Sequence, residues 1–358
     1  MREPFISVVV CTFNRSDLLY DALRSLAEQT TDNDRYEVII IDNNSTDNTE
    51  IVSKDFTDSQ DNFRYIKEVN QGLSCARNRG YEEARGSYVA YMDDDAKADK
   101  DWLVHANAVI ESKAPHIFGG PHYPFFLNHK PEWFKDDFET NSLGKSRFLK
   151  EGEFLNGTNI FFEKSTLLEL GGFDPHLGMS GNQIGYGEES ALVLKARKAK
   201  KKLYYCHEMK VYHLVAEYKM NPFWYIVSDY EHGRNADRMF GLTSKESREE
   251  LTCKLLFNVK AFFEELRKSV LDKEHPFVER QVKENIPPIA HRLGQTCERL
   301  HLSLNKKELN EEYGLIELLE EKERTIKKLE TSLAYKIGLA LTSPGLLINF
   351  LKKLLGKG

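Results

Sequence analysis

The sequence predicts an α/β fold: a mixed, mostly parallel sheet flanked by helices, followed by a C-terminal helical region. In the first 120 residues, apolar β-branched runs alternate with segments of helical periodicity. Polar or acidic residues directly follow several of those apolar runs. From residue 221 onward the strand patterns stop and helical patterns dominate. Because right-handed crossovers join parallel strands, the polar strand ends should share one edge of the sheet, where such folds bind ligands.

Composition narrows the class of protein. The chain has 358 residues, 41% hydrophobic and 30% charged, which is typical of a soluble globular protein with one large or two ordinary domains. A net charge of -6 gives no general reason to expect nucleic acid as a partner. The five cysteines are scattered without a CxxC pair, which favours a reducing, cytoplasmic compartment over a disulfide framework or zinc site. No apolar run is long enough for a transmembrane helix.

The first half of the chain contains four predicted strands with helices between them. The first is a continuous apolar run that ends at a polar loop containing Asn14, and the second ends at Asp42. The fourth runs into three consecutive aspartates, Asp93–Asp95. The predicted strands are Ile6–Phe13, Tyr36–Ile41, Phe63–Ile66 and Ser87–Met92.

Three adjacent carboxylates are costly at the end of a buried strand, because they repel one another and lose solvation. A shared divalent cation would offset that cost. The sequence therefore favours a metal site at Asp93–Asp95, and a solvated acidic turn is the alternative.

The second half places another acidic pair after a glycine-rich loop. Residues 153–163 are predicted as a strand interrupted at residues 156–159, and a short helix at residues 166–170 closes at a glycine pair. Glu188 and Glu189 then begin a helix, where the helix dipole favours anions with or without a catalytic role. Two short strands follow, and the second ends at His213.

The predicted domain organisation follows these changes in pattern. Residues 1–220 form the main domain, with a first half over 1–120 and a second half over 121–220. A helical extension covers 221–305, and a charged helix with heptad-like leucines covers 306–332. The basic, apolar tail at 333–358 either lies on an anionic membrane surface or packs on its own protein. A homodimer is left open.

Six motifs in order resemble the inverting family 2 glycosyltransferases of GT-A fold. They are VVVCTFNR, IDNNSTDNT, NQGLSCARNRG, YMDDD, GGFD and GYGEES, and together they extend over about residues 5–215. This sequence departs from the family pattern at Asp42–Asp47, where DDGSTD is common, and at Glu188-Glu189, where the second residue is usually aspartate.

The resemblance implies an enzyme that moves a sugar from a nucleotide-diphosphate donor, with a UDP-sugar expected, to a saccharide or lipid-linked acceptor. The expected setting is surface polysaccharide or glycoconjugate synthesis, with the enzyme cytoplasmic or peripheral on the cytoplasmic face of the inner membrane. Mg²⁺ or Mn²⁺ would be the cofactor.

The resemblance also implies roles for individual residues in metal and donor binding. Asp95 and Asp93 would bind the metal with His213, and Asp93 would also bind the ribose. Asp94, on the opposite side of an extended chain, is expected to face solvent or support the site and to be the most replaceable of the three.

The remaining implied roles concern the nucleotide and the acceptor. Thr12 and Asn14 would line the base pocket, Asp42 would bind the nucleobase, and Arg77 would lie near the nucleotide. Glu189 would take the proton of the acceptor hydroxyl, and Glu188 would bind the acceptor or orient the site.

Two other functions fit parts of the same pattern. A sugar nucleotidyltransferase also uses a strand-end aspartate and Mg²⁺, but it usually has a glycine-rich loop after the first strand, and CTFNRSD has no glycine. A non-catalytic carbohydrate-binding scaffold of GT-A fold is the second alternative. The joint presence of Asp42, Asp93, Asp95 and Glu189 argues against such degeneration.

Overall fold

A computed structural model of the chain describes residues 6–131, 134–181, 184–220, 222–242 and 286–308, with residues 245–247, 250–251, 254, 257–258, 261 and 265. The chain divides into two compact units, Met1–Lys245 with Leu256–Thr296, and Glu246–Leu255 with Cys297–Gly358. The predicted boundary near residue 220 stays a prediction. The predicted coiled-coil segment after residue 308 and the whole basic tail lie outside the described residues.

The centre of the fold is a parallel half-sheet built from the first four predicted strands. They are β1 (Ile6–Thr12), β2 (Tyr36–Asp42), β3 (Phe63–Lys67) and β4 (Tyr88–Asp93), in the spatial order β3-β2-β1-β4. Almost every residue of β1, β2 and β4 is buried, because helices cover both faces of the sheet. The continuous apolar runs in the sequence follow from that double burial.

Four shorter strands extend the sheet to eight: β6 (Ile117–Gly119), β8 (Arg147–Phe148), β9 (Ile160–Glu163) and β10 (Leu203–Tyr205). They continue the order from β4 as β9-β6-β10-β8. Strand β9 runs antiparallel to both neighbours, and β8 runs antiparallel to β10. The predicted mixed, mostly parallel α/β sheet is therefore confirmed.

A separate three-stranded sheet brings the late strand to the aspartates. It consists of β5 (Ala96–Ala98), β7 (His122–Phe125) and β11 (Val211–Leu214), with β11 in the middle. His213 pairs with Ala96 in the antiparallel β5–β11 register, and the Leu214 N–H donates to the Asp95 carbonyl. This register places His213 beside the aspartate run, although the two are far apart in the chain.

The described residues contain α-helices between and after the strands. Their bounds are α1 (Ser16–Ala27), α2 (Thr49–Ser59), α3 (Leu73–Glu83), α4 (Trp102–Lys113), α5 (Lys164–Leu170), α6 (Glu188–Lys198), α7 (Pro222–Phe240) and α8 (Pro287–Glu308).

The predicted strand over residues 153–163 is wrong in its first segment, residues 153–155, because regular pairing begins only at Ile160. The interruption predicted at residues 156–159 is present, and the fully buried Asn159 lies within it. Its Nδ2 donates to the carbonyls of Pro121 and Met209, and its Oδ1 accepts from Trp102 Nε1. The Asn159 side chain thus ties three elements together, and Asn159 is not part of the strand.

The core lies on both faces of the sheet, as the alternation along β1 shows. Val8 and Val10 pack into one apolar cluster with α1, whereas Val9 packs into the other with α3. Gly80 permits α3 to approach closely, since a Cβ there would lie 2.4 Å from Val9 Cγ1. Among the described helices, none is both long and apolar enough to cross a membrane.

Candidate active site

The loops that follow β1 and β2 are joined to each other by hydrogen bonds. Asn14 accepts from the Thr46 N–H through Oδ1 at 2.8 Å, and its own N–H donates to Ser45 Oγ at 2.9 Å. Asn14 has a φ of 52°, a left-handed conformation that asparagine tolerates better than most residues. The polar ends of β1 and β2 meet at one edge of the sheet, as the alternation of strands and helices in the sequence predicts.

Asp42 and Thr12 lie at that edge and are buried. Asp42 Oδ1 accepts from the Ser45 N–H and Oδ2 accepts from the Tyr65 hydroxyl, both at 2.7 Å. The Thr12 carbonyl accepts from the Asn43 N–H. Each Asp42 oxygen thus has a protein donor and retains a further lone pair. The nucleotide roles assigned to Thr12, Asn14 and Asp42 stay predictions.

Asp93, Asp95 and His213 come together where β4, β5 and β11 meet. One ligand atom from each lies within 4.8 Å of the others. His213 Nε2 is 3.1 Å from Asp95 Oδ1 and 3.9 Å from Asp93 Oδ2. Two carboxylates and an imidazole at this spacing form a donor set that suits Mg²⁺ or Mn²⁺, so the residues present fit the predicted metal.

The charges of this cluster stabilise one another. Burial alone would raise the pKa of Asp95, but His213 and Arg15 outweigh burial and hold that pKa below its usual value. Burial likewise disfavours the charged form of His213, and the adjacent Asp95 carboxylate raises the pKa of His213 nonetheless. The Asp95 side chain is therefore an ionised ligand available to a cation.

Of the two expectations for Asp94, solvent exposure is wrong and support of the site agrees with its contacts. Its side chain is not solvent-facing: Asp94 is 4% exposed, and its Oδ1 is 3.1 Å from Arg15 Nη1. The same guanidinium nitrogen is 2.9 Å from Asp95 Oδ2. The extended-strand argument fails because β4 ends at Asp93 and the chain turns there. Arg15 was missed, although its place beside Asn14 at the end of β1 puts a cation on the same edge.

Arg77 is buried between the aspartates and the two glutamates. Its Nη2 is 3.4 Å from Asp93 Oδ1, and its Nη1 is 2.8 Å from Glu188 Oε1 and 3.9 Å from Glu189 Oε2. The guanidinium also lies over the rings of Tyr91 and Phe173. Burial would lower the pKa of Arg77, but Glu188 and Asp93 raise it. Whether Arg77 also contacts a nucleotide stays a prediction.

The two glutamates at the start of α6 have unequal surroundings. The Glu188 side chain is 7% exposed and accepts the Arg77 hydrogen bond, whereas Glu189 is 18% exposed and lies farther from Arg77. Burial and then the Glu188 charge raise the pKa of Glu189. Glu189 is the more accessible of the two carboxyl groups.

Helix α3 holds the loop that leads to this pair. Asn78 donates through Nδ2 to the Phe173 carbonyl at 2.9 Å and accepts from the Phe173 N–H through Oδ1 at 2.8 Å. Ser74 Oγ donates to the Leu177 carbonyl, and the Leu73 N–H donates to the Met179 carbonyl. The conformation of the loop before Glu188 therefore depends on α3.

Comparison with known proteins shows that the chain is a glycosyltransferase. Residues 7–169 match the model described as Glycosyl transferase family 2. This match covers a little under half of the chain, and together with the curated relatives it supports a family 2 glycosyltransferase. The interpretation as a glycosyltransferase enzyme is thereby confirmed.

Curated relatives also match the chain. A glucosyl-dolichyl phosphate glucuronosyltransferase of Haloferax volcanii is 27% identical over 236 residues, which are 64% of this chain and 75% of the relative. A GalNAc(5)-diNAcBac-PP-undecaprenol beta-1,3-glucosyltransferase of Campylobacter jejuni is 30% identical over 215 residues, which are 57% of this chain and 63% of the relative.

Solved structures support the GT-A fold. The mannosyltransferase PcManGT from Pyrobaculum calidifontis, in complex with GDP-Man and Mn²⁺, has a TM-score of 0.52 at 19% identity and covers 100% of this chain and 89% of its own. TarS 1-349 of S. aureus, in complex with UDP-GlcNAc, has a TM-score of 0.50 at 16% identity, with 86% and 93% coverage. These similarities concern the fold.

Proposed function

We propose that this glycosyltransferase is a metal-dependent, inverting enzyme that transfers a sugar from a nucleoside-diphosphate donor to a lipid-linked saccharide. The observation that carries the proposal is the position of Arg77, whose guanidinium contacts Asp93 at one end and Glu188 at the other. A cation-binding cluster and a carboxylate pair are thereby parts of one site.

The donor half of the site consists of Asp93, Asp95 and His213. These residues would hold Mg²⁺ or Mn²⁺, and the bound ion would neutralise the negative charge that develops on the diphosphate leaving group. The Asp93 side chain is 33% exposed, which leaves it room to bind the donor ribose as well. Thr12, Asn14 and Asp42 lie on the same sheet edge and are proposed to line the nucleobase pocket, with uracil as the expected base.

Glu189 is the proposed general base. A general base works best when its pKa lies near the operating pH, and burial beside Glu188 moves the pKa of Glu189 upward toward that range. Glu188 is less suited, because its carboxylate is engaged by Arg77 at 2.8 Å. Glu188 instead fixes Arg77 and keeps negative charge next to Glu189.

The proposed reaction is a single displacement. The acceptor hydroxyl oxygen attacks the anomeric carbon while the bond from that carbon to the diphosphate oxygen breaks. Glu189 takes the hydroxyl proton, and the nucleoside diphosphate leaves with the electron pair of the broken bond. Attack from the face opposite the leaving group inverts the anomeric centre.

The relatives suggest the acceptor class. The names of the Haloferax and Campylobacter relatives specify dolichyl phosphate and undecaprenyl diphosphate carriers. We therefore propose a polyprenol-linked saccharide as the acceptor, which would place this chain at a membrane surface on the cytoplasmic side. Surface polysaccharide or glycoconjugate synthesis is the proposed setting.

The proposal is tested by measuring sugar transfer from a panel of UDP-, GDP- and dTDP-sugars to a polyprenol-linked saccharide. Each donor is assayed with and without Mn²⁺. The expected result is transfer from a UDP-sugar that depends on Mn²⁺ and yields an inverted glycosidic linkage. Equal turnover after complete removal of divalent ions would contradict the metal dependence, and indifference to every nucleotide sugar would contradict the donor class.

A further inference from the structure

The two oxygens of Asp95 have different partners. Oδ1 is 3.1 Å from His213 Nε2, within the cluster proposed to bind a cation. Oδ2 is 2.9 Å from Arg15 Nη1, on the other side of the carboxylate. In this arrangement Oδ1 is the oxygen that contacts His213, and Oδ2 is the oxygen that Arg15 engages.

The position of Arg15 is fixed from two directions. Its carbonyl accepts from the N–H groups of Leu18 and Leu19 in the first turn of α1, which anchors its backbone. Its guanidinium also contacts the buried Asp94 at 3.1 Å. Asp94 thus holds Arg15 against Asp95, and this contact gives a reason for burying a third carboxylate at the site.

We propose that Arg15 is a positioning residue that sets the cation selectivity of the site. By occupying Oδ2, Arg15 restricts Asp95 to one metal-facing oxygen and keeps the number of protein ligands small. This inference rests on the metal site in the proposed function and deepens it, because it names the residue that distinguishes among divalent ions.

The selectivity follows from the coordination that each ion prefers. Ca²⁺ takes six to eight oxygen ligands and readily binds carboxylates through both oxygens, whereas Mg²⁺ prefers octahedral sites with few protein carboxylates. Imidazole suits transition metals such as Mn²⁺ better than it suits Ca²⁺. One oxygen from Asp95 with the His213 nitrogen therefore disfavours Ca²⁺. Freeing Oδ2 would add an oxygen ligand that benefits Ca²⁺ most.

The test measures affinity for Mn²⁺ by electron paramagnetic resonance, and for Ca²⁺ by competition, on the full chain without nucleotide. Arg15→Gln removes the guanidinium. Arg15→Gln/Asp94→Asn removes one positive and one negative charge together, so the buried Asp94 is not left unpaired. Arg24→Gln is the matched control, since Arg24 is half-exposed on α1 and pairs with Asp21. Because both ions are divalent, the affinity ratio cancels the effect of altered net charge.

The expected result is a preference for Mn²⁺ in the wild type and in Arg24→Gln. That preference should fall about tenfold in both Arg15 variants, which is the size typical of losing a residue that orients a metal ligand. An unchanged or larger ratio in the folded double variant would overturn the inference while leaving the metal site standing. If neither ion binds the wild type or the variants, the metal dependence of the proposed function fails, and this inference fails with it.

Discussion

Glu188 and Glu189 are adjacent in sequence, but the buried Arg77 gives them different chemistry. The Arg77 guanidinium donates to Glu188 and leaves Glu189 without so close a cation. The negative charge on Glu188 then disfavours ionisation of Glu189, whose pKa burial already raises. In the proposed mechanism, Glu188 holds Arg77 and Glu189 accepts the proton.

The pH dependence of transfer should reflect this pair. A raised pKa means that Glu189 is protonated, and unable to accept a proton, until the pH passes that pKa. We therefore predict that kcat/KM rises up to about tenfold per pH unit on the acidic limb and levels off above the pKa. Glu188→Gln removes the neighbouring charge, lowers the pKa of Glu189 and should move the limb to lower pH. A limb that moves to higher pH in Glu188→Gln would contradict this assignment.

At the scale of elements, α3 connects the two halves of the site. Its residue Arg77 points to the carboxylates, and the next residue, Asn78, clamps the loop around Phe173. Gly80, one turn further, sets how closely α3 approaches β1. The motif NQGLSCARNRG is therefore explained by three structural demands on one helix as well as by the resemblance to a family.

Asn78→Asp tests this connection. The substitution keeps an acceptor for the Phe173 N–H but sets a carboxylate oxygen against the Phe173 carbonyl. We expect a loss of about 1–3 kcal/mol in the free energy of unfolding. Because the loop before Glu188 is loosened, transfer should fall more than donor binding does. Glu82→Ala, at an exposed position of the same helix, is the control and should leave both unchanged. If Asn78→Asp and Glu82→Ala behaved alike in urea unfolding and in transfer, the proposed role of the Asn78–Phe173 hydrogen bonds would be refuted.

Elements with continuous apolar patterns could be predicted from sequence, and contacts distant in sequence could not. Strands β1 to β4 lie within about two residues of their predicted bounds, because burial on both faces leaves a plain apolar run. The Arg15–Asp94 pair joins residues 79 positions apart, and no local periodicity encodes it. The interruption at Asn159 could be predicted, but its hydrogen-bond partners could not, since they lie in distant segments.

At the scale of the whole molecule, the proposed acceptor and the basic tail both suggest work at a membrane surface. If the acceptor is a polyprenol-linked saccharide, which is embedded in a bilayer, the site would work close to the bilayer surface. The sequence of residues 333–358 combines leucines with lysines, as amphipathic membrane-surface segments do. The alternative, a tail that packs on its own protein, stays open.

Deleting residues 333–358 distinguishes these interpretations. If the tail contacts anionic lipid, the truncated protein should move from the membrane fraction to the supernatant, and flotation with phosphatidylglycerol vesicles should fall at low salt. Transfer to a water-soluble acceptor analogue should be retained. An unchanged distribution between the fractions would favour the packed tail.

The central claim is that a cation-dependent donor site and a separate general base act in one site. Substitutions in the two parts should therefore remove donor binding and transfer independently. The most direct test measures the binding of a UDP-sugar with Mn²⁺ by calorimetry and the turnover of the same variants. Glu189→Gln should bind the donor with unchanged affinity and lose about 10²–10⁴-fold in turnover, whereas Asp95→Asn should lose Mn²⁺-dependent donor binding itself. Undiminished turnover in Glu189→Gln, or undiminished Mn²⁺-dependent donor binding in Asp95→Asn, would contradict the account.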